Sequence, residues 1–377
     1  MIRELAKSIR EYKKVSIMTP ILVSMEVVME CLIPFIIANL VNQIKAGCEF
    51  QVIAVYGLVL VLMAGISLLF GAWAGNTCST ASCGLAKNLR KDMFYNIQNF
   101  SFENIDKFSA SSLVTRLTTD VTNVQMAYMM IIRIAVRSPL MLLFSFIMAF
   151  IMGGRMALIF LIVAPLLGIG LFTIIRMVMP LFRRVFKKYD ALNNSVQENI
   201  QGMRVVKSYV REDYEKQKFS AAAGDVCADF TRAERILAFN NPLMQFCLYT
   251  VMIFVLSFGS YTIITTRGLA LDVGQFSALL TYSFQILSSL MMLSMVFVMI
   301  TLATESAQRI AEVLGETSSL TSPPQAVTEV RDGSVDFDGV SFKYAKTAKR
   351  MALSNIDLHI RSGETIGIIG GTGSSKS

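Results

Sequence analysis

FQVIAVYGLVLVLMAGISLLFGAWAGNTCSTASCGLA, residues 50–86, contains no charged side chain. An α-helix needs about 20 mostly apolar residues to cross a bilayer, so this run decides the fold class: an α-helical polytopic membrane protein. Two further uncharged runs lie between Arg235 and Arg267 and between Asp272 and Glu305. Of the 377 residues, 54% are apolar and 16% charged, too few polar side chains to cover one or two soluble domains of that size.

Six spans are expected, near residues 16–44, 51–76, 133–153, 156–179, 238–266 and 274–303. The longest exceed the bilayer and are expected to tilt and to continue beyond it. Lys and Arg set the orientation. They crowd the N-terminal segment, the connection after the second span (Lys87, Arg90, Lys91, Lys107, Arg116) and the connection after the fourth (from Arg183 to Lys218). The connections KAGCEF, GGR and RGLALD hold one Lys or Arg each. The long basic connections and both chain ends are therefore expected on the cytoplasmic side of the cell membrane. A formal net charge of +8 suits the anionic inner surface. No base-reading motif accompanies it, so a nucleic-acid partner is not expected.

The N-terminus, MIRELAKSIREYKK, has neither the apolar core nor the cleavage site of a secretion signal and reads as an amphipathic elbow over residues 1–15. The six cysteines, Cys31, Cys48, Cys78, Cys83, Cys227 and Cys247, have no paired spacing and read as packing residues.

The two basic connections are too long for plain loops, and their apolar residues recur at helical spacing. Leu85, Leu89, Met93, Ile97 and Phe100 mark one buried face in the first. Phe182, Val185, Phe186, Tyr189, Leu192, Val196 and Ile200 mark one in the second. Each connection is expected to run out as a helix, turn and return. SASSLVTRLTTDV (109–121) and GMRVVKSYVRED (202–213) are then short exposed helices at the tips.

After the sixth span, ATESAQRIAEVLGETSSLTSPPQAVTEVRDG (303–333) reads as a helix end followed by a linker, and a soluble segment begins near Gly333. SVDFDGVSFKY and SNIDLHI alternate as half-buried strands do, and TIGIIG (365–370) reads as a short buried strand. It leads into Gly370, Gly371, Thr372, Gly373, Ser374, Ser375, Lys376 and Ser377. A phosphate loop, G-x-x-x-x-G-K-[ST], aims backbone N–H groups and a lysine at phosphates while its Ser or Thr holds magnesium. Ser375 stands where the last glycine belongs, and a Cβ in such a turn costs on the order of 1–3 kcal/mol.

This order of parts resembles the membrane domain and the first strands of the ATP-binding domain of ABC exporters of the multidrug and lipid type, bacterial half-transporters in particular. FSFENIDKFSASSLVTRLTTDVTNVQ (100–125), ENIQGMRVVKSYVRED (198–213) and GETIGIIGGTGSSKS (363–377) carry the resemblance. It implies an elbow at 1–15, a six-helix domain at 16–310, a linker at 311–332 and the beginning of an ATP-binding domain at 333–377. It also implies ATP and Mg2+ as cofactors, with Tyr344 stacking on adenine, Gly370 to Ser377 on the phosphates and Ser377 on the metal. The regions of Ser109, Ser112 and Thr115, and of Val205, Lys207 and Val210, match coupling helices. The implied assembly is a homo- or heterodimer with another half-transporter that moves drugs, lipids or peptides by alternating access. The family's signature, magnesium-holding and switch-histidine segments follow the phosphate loop and lie outside these 377 residues. The sequence is therefore expected to be a truncated copy that does not hydrolyse ATP alone, the alternative being a membrane-embedded fragment without transport.

Glu26 and Glu30 lie four apart on one face of the first span, and intramembrane carboxylates are candidates for function. Two readings stay open: a cavity site for a cationic substrate or a proton, and a structural role beside a polar neighbour. Met291 and Met295 on the sixth span are candidates for an apolar cavity, or ordinary gap fillers. Arg133, Arg137 and Arg176 are expected to snorkel to the membrane surfaces, with no role in transport. Pro20, Pro34, Pro139, Pro165, Pro180 and Pro242 are expected to kink or fix their helices.

Overall fold

The computed structural model describes residues 1–318, 325–326, 328–330, 332–343 and 351–370. In chain order these form α1 (Ile2–Lys7), a 3-10 turn (Arg10–Tyr12), α2 (Lys13–Lys45), α3 (Phe50–Gln98), α4 (Phe102–Lys107), α5 (Ala110–Thr115), a π-helical turn (Arg116–Asp120) and α6 (Val121–Gly153). A 3-10 turn (Gly154–Ala157) leads to α7 (Leu158–Gln201), α8 (Met203–Ser208), α9 (Glu212–Leu237), α10 (Asn240–Thr266) and α11 (Val273–Gly315), and two strands follow, β1 (Val335–Phe342) and β2 (Leu353–Ile360).

Five helical stretches are long and apolar enough to cross a membrane: Arg10–Lys45, Phe50–Gln98, Ala110–Phe182, Glu212–Thr266 and Val273–Gly315. The third and fourth expected spans both fall in Ala110–Phe182, which the 3-10 turn at Gly154–Ala157 interrupts. The surface of α3 is apolar from Val55 through Leu58, Val61 and Leu62 to Leu68, as a lipid-facing helix requires. The chain is a multi-pass membrane protein.

Contacts divide it into two units. The larger comprises Ile9–Leu85 and Gln125–Thr304. Its main core joins α6, α7, α10 and α11 through Ala149, Leu167, Leu171, Val251, Leu279 and Ile286. A second cluster sets Leu22, Val23, Val27 and Cys31 of α2 against Ala74 of α3 and Met141 of α6. The end of α2 meets the start of α11 closely, because a Cβ on Gly274 would overlap the carbonyl oxygen of Ala38. There the Gly274 N–H donates to Asn42 Oδ1 at 2.9 Å.

Pro20 and Pro34 lie inside α2, Pro139 inside α6, and Pro165 and Pro180 inside α7. Pro242 sits in the first turn of α10, where no helical N–H partner is lost. In the same unit α7 and α9 pack along each other as legs of a hairpin with α8 at its tip. Phe182 meets Phe230 edge to face, Lys188 pairs with Asp229 at 2.7 Å, and Asn199 donates to Glu215 at 2.9 Å. The Lys188 ammonium holds the Asp229 carboxyl below its ordinary range. Val185 is buried and Leu192 and Val196 half-buried as expected, but Tyr189 and Ile200 are exposed. Ile200 lies at the last turn before Gly202, where the helix gives way to the tip.

The smaller unit comprises Met1–Ser8, Ala86–Val124 and Glu305–Ser377. Leu89 and Met93 are fully buried, in keeping with the helical spacing, and Ile97 and Phe100 are half-buried. Asn88 donates to the Ser8 carbonyl at 2.9 Å and Ser8 Oγ donates to Asp92 at 2.7 Å, so the N-terminal segment is tied to α3. The strands pair antiparallel with Val335 opposite Ile360 and Phe342 opposite Leu353. Gly339 and Asn355 take positive φ of 57° and 50° beside the register shifts.

Two expectations are corrected here. Residues 365–370 form no strand and are exposed. A buried strand needs a sheet neighbour and a covering layer, and among the described residues the sheet has two strands and no layer on it. For the same reason β1 shows no buried face, although Ile356, Leu358 and Ile360 of β2 keep the expected alternation. The cysteines are also only partly core: Cys31, Cys78 and Cys247 are buried, whereas Cys83 and Cys227 are exposed.

Candidate functional site

The smaller unit holds a polar clasp around the end of α11. A helix leaves its last four carbonyls without intrahelical donors, and here side chains from the first long connection donate to one of them, at Val313, and to carbonyls on either side of it. Asn96 Nδ2 donates to the carbonyls of Val313 at 2.6 Å and Glu316 at 2.9 Å. Arg116 Nη1 donates to the Arg309 carbonyl at 2.7 Å and pairs with Glu312 at 3.0 Å. Asn104 donates to the Glu316 carboxylate and to the Thr317 carbonyl, and Lys107 pairs with Glu316 at 2.7 Å. Hydrogen bonding from Lys107 holds the Glu316 carboxyl below its ordinary value against a smaller opposing effect of burial, and Asn104 adds to the lowering.

The π-helical turn places Arg116 and Asp120 on the side facing α11, and both are buried. Asp120 is fully buried, accepts from Ser306 Oγ at 2.9 Å and from Arg309 Nε at 2.7 Å, and pairs with a side chain that is 48% exposed. Such turns often occur at functional sites because one extra residue re-aims the helix face. None of these clasp partners stands out in sequence, since the paired residues lie 186 to 220 positions apart. The readable signal was local: polar Ser306, Arg309 and Glu312 recur at helical spacing around the expected start of the linker at 311, and α11 continues through them to Gly315.

The expected coupling residues fall on the two short helices. Ser109 caps α5, its Oγ accepting from the Ser112 N–H at 3.3 Å, and Thr115 ends it. Leu113 anchors α5 inward while Ser111 and Val114 face outward. In the larger unit, α8 exposes Val205 and Lys207. Its end is a hydrogen-bonded reversal in which the Arg211 N–H reaches the Val206 carbonyl and the Val210 N–H reaches that of Lys207. The left-handed position of such a reversal favours glycine, yet Val210 occupies it at φ 49° and is 81% exposed. A β-branched residue there is a strained outlier. Beside it Ile200, Met203, Val206 and Phe219 line an open groove of about 460 Å³.

The membrane charges form a separate constellation in the larger unit. Arg137 of α6 donates through Nη2 to Glu30 Oε1 and Oε2 at 2.8 and 2.7 Å, and through Nη1 to Glu26 Oε1. This corrects the expectation that Arg137 snorkels to the membrane surface: two carboxylates on α2 hold it across the helix pair. Gly71 of α3 makes room, since a Cβ there would stand 3.0 Å from Glu26 Oε1. Arg133 lies beside Gly75, one turn along, and Arg176 lies over the Phe172 ring at 5.0 Å. Met291 is half-buried and Met295 exposed.

Of the expected nucleotide site, Gly370 is exposed and irregular, while Tyr344 and Gly371 to Ser377 lie outside the described residues. His359 pairs with Asp336 across the two strands at 2.8 Å.

Comparison with known proteins accounts for the helical part. Residues 16–291 match the family described as ABC transporter transmembrane region. The chain is 29% identical, over 95% of its length and 61% of the relative's, to the uncharacterized ABC transporter ATP-binding protein YfiB of Bacillus subtilis. It is 27% identical to YknU of the same organism, also named an uncharacterized ABC transporter ATP-binding protein, over 97% of this chain and 62% of that one. It is 28% identical to an ATP-dependent lipid A-core flippase of Pseudomonas fluorescens, over 87% of this chain and 54% of that one. The chain thus spans a little over half to about three fifths of the length of these relatives. With its long apolar helices, its two helical tips and a family match over most of its residues, the chain belongs to the ABC transporter transmembrane-region family.

Proposed function

We propose that the chain is the membrane-spanning part of an ATP-driven exporter, moving hydrophobic or amphipathic molecules out across the cytoplasmic membrane by alternating access. The observation that carries the reading is the clasp, because α11 leads toward the strand-bearing segment and its end is gripped by residues flanking α5. A push on α5 reaches α11 through Arg116, Asp120, Asn96 and Asn104, and α11 continues as a membrane-crossing helix.

The stretch Ala110–Phe182 crosses twice in this reading, giving six spans. Its 73 residues amount to roughly 110 Å at about 1.5 Å per residue, against a hydrocarbon core of about 30 Å. The turn at Gly154–Ala157, with Gly154 at φ 49°, is where it reverses. The basic connections then face the cytoplasm. Exposed Val114, Val205 and the strained Val210 offer apolar contacts to ATP-binding domains. Tyr344 and Gly370 to Ser377 belong to the ATP and Mg2+ site of such a domain, and a second half-transporter completes the assembly.

The test is ATP-dependent movement of a fluorescent amphiphile in inverted vesicles carrying the whole gene product that contains this chain. Accumulation that stops with Lys376→Ala is expected. Equal accumulation with and without ATP refutes the proposal.

A further inference from the structure

We propose that Glu26 and Glu30 are a recognition site for a cationic head group on an amphipathic molecule, with Arg137 as its tethered resident. The inference depends on the exporter reading only for the passage of that molecule across the membrane. The site itself follows from geometry.

Two carboxylates face one guanidinium. Arg137 spends Nη2 on both oxygens of Glu30 and Nη1 on one oxygen of Glu26. Glu26 is 7% exposed, and its Oε2 is buried with no hydrogen-bond donor among the described residues. A buried acceptor without a donor is unfavourable, and charges inside a span persist where they serve function. Fastening α2 to α6 requires one carboxylate for one arginine. The second carboxylate and its unsatisfied oxygen exceed that requirement. Arg133 does not supply the deficit, because it lies beside Gly75 and pairs with neither glutamate among the described residues.

The bound guanidinium shows which chemistry fits. The pair already grips a planar N–H donor group, and two carboxylates in reach of one fork favour guanidinium or ammonium over a neutral donor. A metal ion is disfavoured, since no group of three or more His, Cys, Asp or Glu is gathered anywhere among the described residues. The side chains of Glu30 and Arg137 are 27% and 33% exposed, so an incoming head group reaches Glu30 without opening the core. On arrival it displaces Arg137 or shares the carboxylates with it.

Chemical rescue tests this without ATP. The chain carrying Arg137→Ala, purified in a nonionic detergent, is melted with dodecylguanidinium or with dodecanol. The guanidinium compound is expected to raise the melting temperature saturably, and dodecanol is not. The rescue is expected to vanish in Arg137→Ala combined with Glu30→Gln. Absent rescue, equal rescue by dodecanol, or rescue that survives Glu30→Gln overturns the proposal. Should Arg137→Ala not fold, saturable binding of dodecylguanidinium by the otherwise unaltered chain decides it: about tenfold weaker binding in Glu30→Gln supports the site, since a charge-assisted pair is lost, and unchanged binding overturns it. Vesicles that fail to accumulate amphiphile with ATP would count against the exporter reading and leave this result untouched.

Discussion

Asp120 and Arg309 form one ion pair, yet their removals should differ sharply. Asp120 is fully buried and Arg309 is 48% exposed. Arg309→Ala strands a buried carboxylate with Ser306 Oγ as its remaining side-chain donor among the described residues. Breaking a buried pair from that side costs about 3–5 kcal/mol. Asp120→Ala instead removes one partner of a half-exposed guanidinium within reach of water, and costs about 1–3 kcal/mol for the lost charged hydrogen bonds. The difference of about 2 kcal/mol is a factor of about 30 in local opening. Hydrogen exchange of the segment 306–316 in lipid nanodiscs reads this directly. Arg309→Ala should exchange fastest, Asp120→Ala more slowly, and the double variant more slowly than Arg309→Ala, because it carries no unpaired buried charge. If Asp120→Ala opens the segment as much as Arg309→Ala, or if the double variant is the worst of the three, the clasp does not work as described.

Val210→Gly relieves a left-handed valine, worth about 1–2 kcal/mol, against about 0.5–1 kcal/mol of added chain entropy for glycine. Protection of the amides that end α8 should therefore rise by up to about tenfold, while ATP-driven transport falls through loss of an exposed apolar contact; unchanged transport refutes the docking role of Val210. The clasp should also respond to acid. The folded-state value of Glu316 lies below the ordinary 4.5, so its contribution is complete above pH 4.5 and fades as pH falls through the lowered value. Exchange of residues 313–317, corrected for intrinsic rates, should accelerate in that acid range, and Lys107→Gln should flatten most of the change.

Periodicity carried the larger elements. The uncharged runs located α3, α10 and α11, and the spacing of Leu85, Leu89 and Met93 found a face that is buried. Spacing faltered where a helix ran past its partner, as at Ile200. The two tips were legible because a short apolar cluster between long amphipathic legs has no other use. The clasp was not. Asn96, Asn104 and Arg116 act on backbone carbonyls of α11, and a carbonyl has no sequence signature. Reading 303–333 as a helix end and linker followed from its polarity, and the helix does end there at Gly315, but Ser306, Arg309, Glu312 and Glu316 are also partners of the first connection.

The membrane charges show the same limit from the other side. The four-residue spacing of Glu26 and Glu30 marked one helical face and justified attention to it. Arg137, more than a hundred positions away, looked like a surface anchor because a lone arginine near a span end usually is one. What changes its meaning is Gly71. A side chain there would press on the Glu26 carboxylate, so glycine lets α2 and α3 close around the acid while α6 supplies the base. Three helices must meet before any of the four residues has a role. The sequence could therefore nominate the acids, but not that they already hold a cation.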